Sequence, residues 1–202
     1  MTEHTKLLVA TNNAGKVREL SQLLAGAPFH LRLLGEFSGV AEAEETGTTF
    51  AENAVLKALH YSAHAGLLTL SDDSGLSVDA LGGAPGVYSA RYAGARATYE
   101  ERMARLLGEI EAAGADDRRA RFVCVIAVTD PSANALETFE GVCEGRIARA
   151  PRGSGGFGYD PVFIPDGHER TFGELPEEVK HSISHRARAL ALAARHLQAR
   201  FS

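Results

Sequence analysis

The sequence predicts an α/β fold: helices packed on a central mixed sheet, in one domain spanning residues 1–202. Three observations carry this prediction. Apolar runs suited to buried strands alternate with segments whose apolar residues recur at helical spacing. Short turns rich in glycine and asparagine separate them. Two of the apolar runs lie close enough along the chain to pair as a hairpin, which makes the sheet mixed. Hydrophobic residues make up 45% and charged residues 23% of the chain, which excludes disordered, collagen-like and coiled-coil classes.

In chain order, residues 6–10 (KLLVA) read as a short strand, TNNAG as a tight loop, and residues 16–24 as a helix with Val17, Leu20, Leu23 and Leu24 on one face. A second helix starts at Thr49, where Thr49 and Glu52 have capping-box spacing, and ends near Gly66. Its apolar face is Phe50, Ala51, Ala54, Val55, Ala58 and Leu59. Residues 67–70 form a buried strand ending in SDDSG, followed by a glycine-studded segment over 80–94 and a third helix over 98–113. The run 122–128 (FVCVIAV) has the strongest strand character and pairs with 136–143 across a turn at 131–134. Cys124 and Cys143 could then face each other across the hairpin; with no C-x-x-C pair they read as small buried hydrophobes. Residues 149–158 form a basic, glycine-rich loop and 161–165 a short strand, and Ser184 caps a last helix carrying Leu190, Ala194 and Leu197.

The formal net charge is −5, from 21 basic and 26 acidic residues, so the chain has no basic field to attract a nucleic acid backbone. Polymeric DNA or RNA is not expected as a ligand. No apolar segment suits a signal peptide or a membrane span, so the expected setting is the cytoplasm, with no membrane partner.

Five segments carry candidate chemistry. Thr11, Asn12, Asn13, Ala14, Gly15 and Lys16 lie between a strand and a helix, where free N–H groups and the helix dipole favour an anion. A lysine in the first helical turn opposes the dipole unless a phosphate intervenes; an Asn-capped helix with a solvated lysine is the plain alternative. The segment lacks the G-x-x-x-x-G-K-[ST] pattern of a P-loop.

Ser71, Asp72, Asp73 and Ser74 end an apolar strand, where α/β sheets bind ligands, and the mutually repelling carboxylates suit Mg²⁺ shared with substrate phosphates. A surface Asp-Gly turn fits the same residues. Glu42, Glu44 and Glu45 precede the helix bearing Asn53 and Lys57, one turn apart on its polar face.

Residues 153–160 satisfy G-x-G-x-x-G but run into Tyr159-Asp160-Pro161 and a strand instead of opening a helix, so the dinucleotide reading is rejected. Phe157 can offer a flat face to a nucleobase, or anchor a mobile loop in the core. His181 and His185 have zinc-helix spacing but lack the following glutamate, and His60 and His64 lack any acid motif; both pairs read as non-metal. Lys180, His185 and Arg186 suit donation to a purine carbonyl or to phosphate oxygens.

Taken together, TNNAGK, EETGTTFAENAVLKA, SDDSGLSVDALGGAPGVYSARYAG, GGFGYDPVF and ISHR resemble, in order and over nearly the whole chain, the inosine triphosphate pyrophosphatase family. The resemblance implies an elongated mixed sheet with two lobes flanking a nucleotide cleft, a homodimer, and Mg²⁺-dependent cleavage of ITP, dITP and XTP to monophosphate and pyrophosphate. It implies that residues 11–16 contact the triphosphate, that Glu44 and Asp73 serve the metal, and that Asp73 is the catalytic acid or base. Ser74 would touch substrate, and Phe157, Gly158, Tyr159, Asp160, Lys180, His185 and Arg186 would surround the base. Asn53, Lys57 and Asp72 would support them. A pyrophosphatase of the septum-formation-inhibitor type and a nucleotide sensor without turnover remain the rival readings.

Overall fold

A computed structural model describes residues 5–114 and 116–201. Strand β1 (Thr5–Val9) leads through Asn13 into helix α1 (Ala14–Leu23), and β2 (Phe29–Leu33) returns beside β1. β1 pairs in parallel with β2, Leu7 opposite Leu31, and on its other edge with β3 (Leu68–Val78), Leu7 opposite Leu68. A strand paired on both edges and covered on both faces should be apolar throughout, and Leu7, Leu8 and Val9 are fully buried.

Helix α2 (Phe50–Ala65) connects β1's neighbourhood to β3. The capping box expected at its start is present: Thr49 Oγ1 accepts from the Glu52 amide at 3.1 Å, and Glu52 accepts from the Thr49 amide at 3.1 Å. Gly66 closes the helix in the left-handed region at φ 65°. Helix α3 (Tyr99–Ala112) follows the glycine-rich segment, capped by Thr98 with Glu101 in the same reciprocal arrangement.

β4 (Arg119–Asp130) and β5 (Ala135–Ile147) are sheet neighbours joined by only four residues, which requires an antiparallel hairpin. Asn134, at φ 49°, supplies its left-handed turn residue. β6 (Phe163–Pro165) adds antiparallel to β5 at the far edge. Gly145 permits that pairing, because a Cβ there would lie 2.3 Å from the Ile164 carbonyl oxygen. The strand order is β2-β1-β3-β4-β5-β6, a mixed sheet as expected. Helices α4 (Glu177–Ile183) and α5 (His185–Phe201) complete the chain, with Ser184 Oγ accepting from the Ala187 amide at 3.2 Å.

Contacts divide the chain into two compact units. The first holds the described residues up to Asp73, with Cys124–Glu140 and the chain from Ala189 onward; the second holds Ser74–Val123 and Gly141–Arg188. Each has its own core. In the first, Leu7, Val9, Leu20, Leu70, Ile126, Leu190 and Leu197 pack together; in the second, Leu76, Leu106, Ile110, Ile147, Phe163 and Phe172 do.

Three expectations change. The strand read as ending at Leu70 runs unbroken to Val78, so SDDSG is extended backbone within a strand. Cys124 and Cys143 enter different cores, Cys124 that of the first unit and Cys143 that of the second, both as free thiols. β2 and α4 were not anticipated. Among the described residues, no helix is long and apolar enough to cross a membrane.

Candidate functional site

The first unit gathers the expected phosphate residues. The loop after β1 is stiffened by two short-range bonds: the Asn13 amide donates to Thr11 Oγ1 at 3.2 Å, and Asn13 Oδ1 accepts from the Lys16 amide at 3.1 Å. Asn13 is therefore the N-cap, and Ala14, Gly15 and Lys16 form the first turn of α1, two residues earlier than the sequence suggested. Amides at such a start have no intrahelical acceptor. This turn carries no acidic residue, and Thr11, Asn13 and Gly15 are half-buried while Asn12 and Ala14 are exposed.

Because β3 is extended through Asp72 and Asp73, their side chains leave the strand on opposite faces. Each carboxylate meets its own lysine. Asp72 Oδ2 lies 3.1 Å from Lys16 Nζ, so the lysine of the helix start is anchored from below by a buried acid. Asp73 Oδ1 lies 3.0 Å from Lys57 Nζ, and Lys57 also reaches Glu45 Oε1 at 2.7 Å. The repulsion expected between the two aspartates is thus relieved by alternation and by two ammonium groups from different helices. Upstream on α2, Asn53 is fully buried; its Oδ1 accepts from the Gly47 amide at 2.8 Å, while its Nδ2 has no hydrogen-bond partner among the described residues.

Burial raises the Asp73 carboxyl above its ordinary range, with Lys57 and Lys16 pulling against that shift. Burial works against the Lys57 ammonium too, but Asp73, Asp72 and Glu45 outweigh it and hold the group charged beyond its ordinary value. The second oxygen of Asp73, Oδ2, is buried and has no hydrogen-bond partner among the described residues. An acceptor oxygen left open beside a second carboxylate fits a hard divalent cation, which takes one or two carboxylates and completes its shell with water and phosphate oxygens. Among the described residues no three His, Cys, Asp or Glu side chains converge as a ready-made metal cage. Glu44, expected from the resemblance to serve the metal with Asp73, is exposed; Glu45, of the same acidic run, is the glutamate joined to Asp73 through Lys57.

The second unit gathers the residues expected around a base. Asp160, buried, accepts from Lys180 Nζ at 2.5 Å and from the Phe157 amide at 2.8 Å through the same oxygen, which folds the loop tip onto α4. Gly156, at φ 68°, is required there, since a Cβ would meet that Asp160 oxygen at 2.0 Å. The Phe157 ring is half-buried, with Lys180 Nζ 4.7 Å and the Arg186 guanidinium 5.6 Å from its centroid. Arg186 donates to Ser74 Oγ at 2.9 Å, and His185 stacks on Phe122 with centroids 4.7 Å apart. Gly158 packs against Tyr99. Tyr159 turns inward: its ring joins the core, its hydroxyl donates to the Ser89 carbonyl at 2.9 Å, and burial raises its pKa.

His181 and His185 fall on two different helices, and His60 Nε2 lies 2.8 Å from the Ala41 carbonyl oxygen.

These features define an α/β protein with an Asn-capped helix start backed by lysine–carboxylate pairs, and a cluster of aromatic and cationic side chains. The model of the Ham1 family matches residues 7–196, and the chain belongs to that family. It is 52% identical over 185 residues to a dITP/XTP pyrophosphatase of Desulforamulus reducens, covering 92% of each chain. It is 50% identical over 193 residues to a dITP/XTP pyrophosphatase of Geobacter sulfurreducens, covering 96% of each. The solved structure of a HAM1 protein from Coxiella burnetii superposes with a TM-score of 0.89 at 45% identity, covering 96% of this chain and 98% of that one.

Proposed function

We propose that this chain is a nucleoside triphosphate pyrophosphatase that hydrolyses ITP, dITP and XTP to the monophosphate and pyrophosphate. The observation that carries the reading is the alternation on β3: Asp72 holds Lys16 at the helix start, while Asp73, one residue on, keeps an open buried oxygen beside Lys57. The names of the relatives at about 50% identity support the substrate class.

The triphosphate lies against the amides of Ala14 and Gly15, with Lys16 as its counter-charge. Water attacks the α-phosphorus and the bond to the bridging oxygen of pyrophosphate breaks. Asp73 orients that water and takes its proton. Lys57 keeps Asp73 and Glu45 together and offsets charge on the departing pyrophosphate. Asp73 with Glu44 or Glu45 would hold magnesium, which when bound would supply further neutralisation of the phosphate oxygens.

Ser74, the residue after Asp73 in β3, accepts from Arg186 at 2.9 Å. Phe157 then offers its ring to the purine, and His185 and Arg186 donate to the 6-oxo oxygen. Adenine would present an amino group there and leave a buried donor unpaired, a penalty of about 1–3 kcal/mol. The chain acts as one catalytic domain, working as a homodimer in the cytoplasm on free nucleotides.

Pyrophosphate release from ITP, dITP, XTP, GTP, ATP and dTTP, with and without Mg²⁺, tests reaction and selectivity together. Turnover of the first three with Mg²⁺ and weak turnover of the rest is expected. Preference for dTTP would favour the septum-formation-inhibitor type, and ITP binding without pyrophosphate release would favour a sensor.

A further inference from the structure

A second feature of the Ser74–Val123 and Gly141–Arg188 unit uses none of the residues placed in the reaction. Where β4 begins and β5 ends, the chain encloses an open depression of about 340 Å³ whose charged walls are four arginines and two aspartates. The chain as a whole carries a net charge of −5, so a net positive pocket runs against its average.

Two of the four arginines are engaged by carboxylates: Arg119 reaches Asp117 at 2.7 Å and Arg146 reaches Glu169 at 2.8 Å. The other two are not. Arg118 is half-buried and spends its donors on neutral acceptors, Nε on the Ile147 carbonyl at 2.8 Å and Nη2 on the Ala148 carbonyl at 2.8 Å. Those carbonyls fix the guanidinium without cancelling its charge. Burial disfavours protonated Arg118 most; the like charge of Arg149, exposed and lining the same depression, adds to it, and Glu111 offsets this only in part. Among the described residues neither Arg118 nor Arg149 forms an ion pair. Two like charges lining one pocket, one of them positioned by backbone carbonyls, are complementary to an oxyanion with several acceptor oxygens. The volume lies at the small end of ligand cavities, which suits a small anion better than a whole nucleotide.

We propose that this depression binds a small phosphate oxyanion, held by the guanidinium groups of Arg118 and Arg149. The proposal is independent of the assigned reaction.

The test is a titration of the full-length protein with inorganic pyrophosphate, without Mg²⁺, followed by backbone amide NMR. Saturable shifts are expected at Arg118, Ile147, Ala148 and Arg149. They should persist in Lys16→Ala, whose phosphate grip is weakened. They should weaken at least tenfold in apparent Kd in Arg149→Glu and less in Arg149→Lys. Arg149 is exposed, so matching spectra elsewhere will establish that the variants are folded. Shifts confined to residues 11–16, or an unchanged Kd in Arg149→Glu, would overturn the proposal.

Discussion

Replacing Asp160 by alanine should be among the most destabilising single changes in this protein. Asp160 and Lys180 are only 2% and 4% exposed, and their charged atoms lie 2.5 Å apart. Removing one partner of a buried pair costs about 3–5 kcal/mol, because the other charge stays buried without its counter-ion. The same oxygen also holds the Phe157 amide, so the loop tip is released together with the ammonium. For a chain of this length each kcal/mol moves the midpoint by about 2–4 °C, giving a fall of roughly 6–20 °C. Thermal and urea denaturation of the wild type, Asp160→Ala, Lys180→Met and the double variant would measure it. Replacing both charges should recover at least half of the Asp160→Ala loss, since the double variant buries no unpaired ion. A fall of less than about 2 °C in Asp160→Ala, or simple additivity in the double variant, would refute the argument that this pair organises the loop.

Three further outcomes follow from the same geometry. Asp73→Asn should lower kcat by about 10²–10⁴ while retaining nucleotide binding by calorimetry, and the wild-type acid limb should lie above the ordinary aspartate value of 3.8 because burial raises the group. Lys16→Ala should remove a charged contact worth about 1.5–3 kcal/mol, raising KM for ITP roughly 10- to 150-fold in steady-state assays. Burial pushes the Cys143 thiol from 9.0 up to about 11, so the folded state keeps a proton that the unfolded chain releases. The thiol's contribution to stability is therefore complete below pH 9.0 and lost as pH rises towards about 11. Urea midpoints of wild type and Cys143→Ala should converge over that window; a constant difference would count against the burial argument.

Sequence alone revealed features whose determinants are local. The capping box at Thr49, the helix end at Gly66, the hairpin turn and the Ser184 cap are all encoded within four or five residues. β2 was legible in principle, since Phe29, Leu31 and Leu33 alternate with His30 and Arg32, but five residues give a weak period. The end of β3 was misjudged because polar residues and a glycine after an apolar run carry the signature of a turn. What keeps that segment extended is supplied from elsewhere: Lys16 and Lys57 lie far back in the chain, and such pairings leave no local trace. The choice between Glu44 and Glu45 was equally closed to inspection, because a loop has no period from which to tell which of two neighbours faces inward.

The alternation along β3 explains why two adjacent aspartates can have different tasks at one position in the fold. A turn would have let both side chains swing towards one cation. An extended strand forbids this, sending Asp72 to the helix start and Asp73 to α2. Asp72, with one oxygen on Lys16, acts by fixing that lysine where the first-turn amides of α1 emerge. Asp73 has one oxygen on Lys57, and its other, buried oxygen is open to water or metal. Asp72→Asn should therefore act on triphosphate affinity through Lys16, and Asp73→Asn on turnover. If both variants changed kcat alone and to the same extent, the two carboxylates would be sharing one ligand, and the separation of their roles by strand geometry would be wrong.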